Sequence, residues 1–269
     1  MYKLIALDMD GTLLNKEKKV TDRTKKAIQA AREKGVTVVL ATGRPIDGVT
    51  RYLEELDMFT DKDYVLTYNG GLVQKTKSRE VISKVGLLGS DLHYLYSLSK
   101  KLGVNIHGFS EERGLITPKA NPYTDIEAEI NNIKYTIDDY SDISDDHSFI
   151  KIMMIDAPEN IDSAMENLPK EVYEKYTVVR SSDIFLEVLN KEVNKGVGVE
   201  LLAKHLGVNQ SEIITMGDAG NDLHMIEYAG MGIAMANASD DVKAAANYIT
   251  ESNNEDGVAK AIEKFVLNK

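Results

Sequence analysis

The sequence predicts an α/β fold: a doubly wound, Rossmann-like parallel sheet interrupted by a smaller α/β domain. Two observations carry that prediction. Short apolar runs alternate with amphipathic stretches at both ends of the 269-residue chain, the pattern of parallel strands joined by helices. Between residues 86 and 187 this rhythm gives way to long polar stretches. Segments 1–85 and 188–269 are therefore expected to form one core, with 86–187 as an inserted α/β domain.

Leu4-Ile5-Ala6-Leu7 is a short apolar run that stops at acidic and glycine residues, which reads as a buried parallel strand. Thr21 is placed to cap a helix running to about Lys34, with Ala27, Ile28 and Ala31 on one face and Gly35 past its end. Val36 to Ala41 is the next strand, and a helix follows to about Leu56. Tyr64 to Thr67 is a third strand, ending at Asn69-Gly70-Gly71. Leu72-Val73-Gln74 and Val81-Ile82 suggest a hairpin. The rhythm resumes with a helix over Val199–Leu206 closed by Gly207, and a strand over Ile213–Met216. A helix from Asp222 to Ala229 is followed by strands at Gly232–Met235 and Tyr248–Thr250, then a helix from Asp256 to Val266.

In the inserted segment, strands are expected at Phe149–Ile155, Tyr176–Val179 and Phe185–Val188, with a helix near Asn160 to Leu168. The acidic group Asp138, Asp139, Asp142, Asp145 and Asp146 reads most simply as a solvated loop or face.

Composition narrows the function classes. Hydrophobic residues make up 43% of the chain, enough for a sizeable core. The formal net charge of −11 repels nucleic acid and anionic membranes, so neither is an expected partner. It also repels a phosphorylated ligand, so a phosphate site must reverse the field locally with a metal or a few cations. The absence of cysteine excludes disulfides, thiolate zinc sites and cysteine nucleophiles, and fits a cytoplasmic location. The N-terminus reaches Asp8 too soon for a signal-peptide apolar region, and no run approaches the ~20 apolar residues of a bilayer span. The five histidines show no ligand spacing.

Four segments carry chemistry, and three of them lie where core strands are expected to end, the edge at which open α/β sheets bind ligands. In Asp8-Met9-Asp10-Gly11-Thr12, two carboxylates two residues apart project to the same side. They make a hard-cation site suited to magnesium, and they can divide nucleophilic and proton-transfer work. Thr12 can hydrogen-bond an acid. Alone, Asp-Gly is a turn signal; after a buried strand the full run points to a site. Thr42-Gly43 offers a hydroxyl and an unhindered N–H to phosphate oxygens, or a helix cap, and Arg44 adds charge or structure. Lys195 begins a helix, where the dipole does not favour a cation, although an isolated lysine is more often solvated. In Gly217-Asp218-Ala219-Gly220-Asn221-Asp222, Asp218 is placed to ligate a metal and Asn221 to donate to phosphate. Asp222 can cap the next helix or hold Lys195; an acidic helix N-terminus explains the run equally well.

Together these segments resemble the haloacid dehalogenase superfamily of phosphotransferases, in that family's order and over the whole chain. An insertion after the Asn69-Gly70 strand and hairpin resembles the Cof-type subgroup, which has an α/β cap. Lys175-Tyr176-Thr177-Val178, Phe185-Leu186-Glu187, Val193-Asn194-Lys195-Gly196 and Ile226-Glu227-Tyr228-Ala229-Gly230 are similar to the YidA-type sugar phosphatases. The resemblance implies a Mg2+-dependent phosphatase of small phosphorylated metabolites that forms an aspartyl phosphate. It implies Asp8 as nucleophile and Asp10 as acid and base. It implies metal binding by Asp8, Asp218 and the Asp10 main chain, and phosphate binding by the Met9 backbone, Thr42, Gly43, Lys195 and Asn221. Thr12 and Asp222 are supporting residues. Two alternatives remain beside it: a phosphotransferase or mutase of the same superfamily, and a phospho-acceptor signalling module. The sequence leaves monomer and homodimer both open.

Overall fold

The computed structural model describes residues 1–110 and 112–268. It divides into two compact units: Met1–Lys84 with Asn194–Lys269, and Val85–Val193.

The first unit is built on an eight-stranded sheet. In spatial order its strands are Tyr248–Ile249, Met231–Ala234, Ile213–Gly217, Leu4–Leu7, Thr37–Ala41, Tyr64–Thr67, Leu72–Lys75 and Val81–Lys84. The first six pair in parallel, and the last two close the sheet as antiparallel neighbours. The chain lays strands outward from Leu4–Leu7 in one direction, then returns and builds outward in the other. The winding therefore reverses at Leu4–Leu7, and the crevice beyond its carboxyl end is the switch point where such sheets bind ligands.

The apolar run of the first strand follows from its place at the centre. Ile5 and Leu7 face a core shared with Ile28, Ala31, Leu53 and Val258, whereas Leu4 and Ala6 face Val199, Leu202 and Met225. Side chains alternate across a strand, so covering both faces demands apolar residues at every position. Thr21 caps the helix Asp22–Glu33 by accepting a hydrogen bond from the Thr24 N–H, and Lys195–Leu206 ends at Gly207 in the left-handed conformation. The segment expected as one helix to Leu56 is instead a 3-10 turn, Ile46–Gly48, and a short helix, Thr50–Glu55. The last helix is Gly257–Ile262, which widens into a π turn over Glu263–Leu267. A short helix at Asp240–Ala245 was not expected from the sequence.

The second unit carries a mostly antiparallel sheet in the order Tyr176–Ser182, Phe185–Asn190, Ser148–Ile155, Asn105–Ser110, Gly114–Thr117, Tyr135–Ile137, with Leu87–Leu88 also paired to Ser148–Ile155. The expected domain break after Glu187 falls inside Phe185–Asn190, a strand paired to neighbours of this unit along its length. Phe149, Ile152, Met154, Leu186 and Val188 pack with Leu92 and Leu95 of helix Gly89–Leu102 and with Ile161 and Ala164 of helix Pro158–Asn167. The acidic group lies in and around the 3-10 turn Tyr140–Asp142. Asp139, Asp142, Asp145 and Asp146 are exposed there, and half-buried Asp138 pairs with Arg113.

Residues of the opposite alternation make a buried polar group. Lys151 Nζ lies 3.2 Å from Glu187 Oε1 and 3.6 Å from Glu127 Oε1 of helix Pro122–Asn131. His107 sits 3.1 Å from Thr124 Oγ1 and 3.3 Å from Met153 Sδ. Burial, helped by the Lys151 ammonium, pushes the His107 imidazole down to about 3. The unfolded chain therefore takes up this proton near pH 6.5, whereas the folded chain does so only near pH 3. His107 thus costs stability progressively as pH falls below 6.5, by up to about 1.4 kcal/mol per pH unit. The stability advantage of wild type over His107→Gln should shrink steadily between pH 7 and pH 4.5 in urea unfolding of the full chain. Parallel stability curves for the two proteins would count against a neutral buried imidazole.

Among the described residues, no helix is long and apolar enough to cross a membrane.

Candidate active site

Asp8 leaves the sheet immediately after Leu7, and its N–H still donates to Met216 O of the neighbouring strand at 3.0 Å. The chain then turns back tightly, with Leu13 N donating to Asp8 O and Leu14 N to Met9 O. Gly11 makes the turn possible. Its φ is +95°, and a Cβ there would overlap the Asp218 carboxylate. The turn delivers Thr12 Oγ1 to donate to Asp218 Oδ1 at 2.7 Å. Met9 buries its side chain completely in the core, so only its backbone lies at this edge.

Lys195 is the first residue of the helix Lys195–Leu206, capped by the Asn194 side chain, which accepts from Val197 N at 2.9 Å. The helix start comes close because Gly70, at φ +87°, has no Cβ to strike the Asn194 carbonyl. Lys195 is fully buried, and its Nζ donates to Asp8 Oδ1 at 2.5 Å and to Asp222 Oδ1 at 2.6 Å. The other Asp222 oxygen accepts from the N–H groups of Asp218 at 2.9 Å and Ala219 at 3.0 Å. Asp222 therefore both holds Lys195 and braces the turn that presents Asp218.

Negative charge is in excess here. Asp8, Asp218 and Asp222 offer oxygens that all lie within 4.8 Å of one another, around one ammonium. Burial pushes the Asp8 carboxyl up to about 7; Lys195 pulls against this, while Asp222 and Asp218 add to it. Burial also raises Asp218, against the Thr12 hydrogen bond. For Lys195, burial favours the neutral amine but is outweighed by Asp8 and Asp222, so its pKa rises and it stays a cation. Hard oxygens with uncompensated charge fit a small divalent cation. Asp8 and Asp218 suit that role better than Asp222, whose two oxygens are already committed.

Asp10 points elsewhere. Arg44 grips its carboxylate with two hydrogen bonds, Nε to Oδ2 at 2.9 Å and Nη2 to Oδ1 at 2.7 Å, and Lys18 Nζ adds a third at 2.7 Å. Burial would raise this carboxyl, but the Lys18 and Arg44 contacts prevail and hold it below the usual carboxylate range. Its side chain is thus not among the clustered carboxylates, and the metal assignment for Asp10 rests on its main chain alone.

Thr42 is almost completely buried, and its Oγ1 accepts from the Arg44 N–H at 3.1 Å. Its backbone is held on both sides, by Leu66 O and by the Asn69 N–H. Asn221 Nδ2 donates to Asn69 Oδ1 at 3.0 Å, and a Cβ on Gly43 would lie 3.3 Å from the same Asn69 amide. The structure therefore joins Asp8, Thr12, Lys195, Asp218 and Asp222 in one network. It ties Thr42, Gly43 and Asn221 together through Asn69, and it leaves Asp10 with Arg44 and Lys18. Sequence reasoning missed Asn69 and Lys18. Asn69 had a usable signal, a polar residue just beyond a core strand; Lys18 lies in a lysine-rich turn with none.

A doubly wound sheet carrying buried aspartates and a lysine at its switch point defines an α/β protein whose clustered carboxylates could hold a cation. The chain belongs to the haloacid dehalogenase-like hydrolases, whose family model matches residues 5–262. It is 47% identical to a Bacillus subtilis (strain 168) protein named "Putative phosphatase YxeH", with all of both chains covered. A solved haloacid dehalogenase-like hydrolase from Bacteroides thetaiotaomicron superposes with a TM-score of 0.84 at 34% identity, covering 98% of this chain and 99% of that one. The solved HAD subclass IIB sugar phosphatase BT4131 superposes with a TM-score of 0.75 at 28% identity, covering 98% of each chain. The chain is accordingly an enzyme of the phosphatase type.

Proposed function

We propose that the enzyme is a Mg2+-dependent phosphatase of small phosphorylated metabolites, sugar phosphates above all, acting through an aspartyl phosphate on Asp8. The observation that carries this reading is the fully buried Lys195 held between Asp8 and Asp222, with Asp218 alongside. A buried cation beside a buried carboxylate is what an incoming phosphoryl group needs: a nucleophile, and positive charge to meet its oxygens. The sugar-phosphate class is supported by the likeness to the subclass IIB sugar phosphatase.

An Asp8 carboxylate oxygen attacks phosphorus, the bond from phosphorus to the ester oxygen breaks, and Asp10 protonates the departing alkoxide. Asp10 then takes a proton from water as that water attacks phosphorus, which frees inorganic phosphate and restores Asp8. Lys195 orients Asp8 through Oδ1 and meets phosphoryl charge. Thr42, the Gly43 N–H, the Met9 backbone and Asn221 donate to the phosphoryl oxygens. Thr12 and Asp222 hold Asp218 and Lys195 in place. Mg2+, when bound by Asp8, Asp218 and the Asp10 main chain, offsets the charge of the transferring group. The proton-transfer role requires the Asp10 side chain to leave Arg44 and Lys18, whose contacts hold its carboxyl low, and to carry a proton when it meets the leaving group.

The test is release of inorganic phosphate from a panel of sugar phosphates, with Mg2+ and with chelator. Hydrolysis should require Mg2+, vanish with chelator and return when the ion is restored. Full activity in chelator would remove the metal from the proposal. A phosphorylated acceptor in place of free phosphate would make the enzyme a transferase.

A further inference from the structure

Asn69 belongs to none of the four segments that carry chemistry, yet it touches two of them. It sits beyond the strand Tyr64–Thr67 at φ +56° and ψ +37°, and Tyr68 before it also has positive φ. Two successive non-glycine residues in this region are costly and persist only where surrounding contacts enforce them. Here the Asn69 N–H donates to Thr42 O at 2.9 Å, its Oδ1 accepts from Asn221 Nδ2 at 3.0 Å, and its amide packs beside Gly43. One residue thus joins two loops from opposite sides of the central strand, its backbone N–H bonding the first, which follows Thr37–Ala41, and its side chain the second, which follows Ile213–Gly217.

We infer that Asn69 is a positioning residue for the phosphoryl site, setting the donor end of the Asn221 amide and its distance from Thr42-Gly43. This rests on the phosphatase reading above. An amide side chain can present either oxygen or nitrogen to a ligand. By accepting from Nδ2, Asn69 Oδ1 uses one Asn221 N–H and turns the nitrogen toward the Thr42 side of the site. A phosphoryl oxygen then meets a donor there; with the amide reversed it would meet an acceptor and be repelled.

The test is a double-mutant cycle of Asn69→Gly with Asn221→Ala. Glycine adopts the left-handed conformation freely, so Asn69→Gly removes the side chain and keeps the turn. Asn69→Ala in a second cycle guards against loosening by three consecutive glycines. The readouts are kcat/KM on a hydrolysed sugar phosphate, competitive inhibition by inorganic phosphate, and thermal unfolding. Asn69→Gly should lower kcat/KM and phosphate affinity by about tenfold, the size of one oriented hydrogen bond, with little change in melting temperature. In the Asn221→Ala background it should cost almost nothing further. Normal kcat/KM in Asn69→Gly beside an impaired Asn221→Ala overturns the role of Asn69 alone, as does an undiminished penalty in the double variant. Normal phosphate affinity in Asn221→Ala overturns the phosphate-site reading itself.

Discussion

Asp8→Asn is expected to lower steady-state phosphate release by about four orders of magnitude or more, the scale of losing a covalent nucleophile, while phosphate still binds. The geometry separates these outcomes. Asn is nearly isosteric with Asp, and its amide oxygen can still accept from Lys195 Nζ, which lies 2.5 Å from Asp8 Oδ1 in the wild type. The fold and the phosphate donors should therefore survive. Substitution also removes one carboxylate from a crowded group, since Asp218 and Asp222 lie within 4.8 Å. Repulsion of an anion falls, and competitive inhibition by inorganic phosphate should be equal or tighter. Acid quenching of wild type during turnover should trap a hydroxylamine-sensitive phosphoprotein that the variant never forms. A variant retaining more than a few per cent of wild-type turnover would mean that water attacks phosphorus directly. Asp8 would then be only a ligand or an electrostatic group.

The central fold and the grouping of most candidate site residues were legible for the same reason: both are written in local runs. Leu4 to Leu7 must be apolar at every position because both sheet faces are covered, and the polar residues after each core strand stand out against such runs. Elements whose pattern depends on distant partners were not legible. Asn105–Ser110 contains a histidine and a glycine where a strand signal needs apolar residues. His107 is buried among Thr124 and Met153, and Gly108 leaves room for the Phe149 ring. The helix Asp240–Ala245 is too short to display a period. Arg44 on Asp10, and Asn69 on Asn221, are contacts between segments far apart in the chain, and no spacing rule encodes them. Asn69-Gly70 reads locally as a turn, which it is; its second role emerges only when three strand ends share an edge.

Lys195→Met should be the most disruptive single substitution to stability and activity together. Methionine approximates the lysine stem but removes a fully buried ammonium, leaving Asp8 and Asp222 without the cation that lies 2.5 and 2.6 Å from them. Breaking a buried charge pair by removing one partner costs about 3–5 kcal/mol, because the surviving charge is stranded out of water. At the sensitivity usual for chains of this size, that corresponds to a melting temperature lower by roughly 10 °C. Activity should fall by about a thousandfold, as when a charged donor to the transition state is lost. Stability and catalysis can then be pulled apart through Asp222. Asp222→Asn neutralises a stranded charge, and its amide oxygen can still accept from the Asp218 and Ala219 N–H groups. Lys195→Met/Asp222→Asn should therefore recover several degrees of melting temperature while staying as inactive as Lys195→Met. Recovery of turnover along with stability would show that Lys195 serves only to hold the fold. An unchanged melting temperature in the single variant would show that the Asp8 and Asp222 carboxylates are neutralised by something other than this lysine.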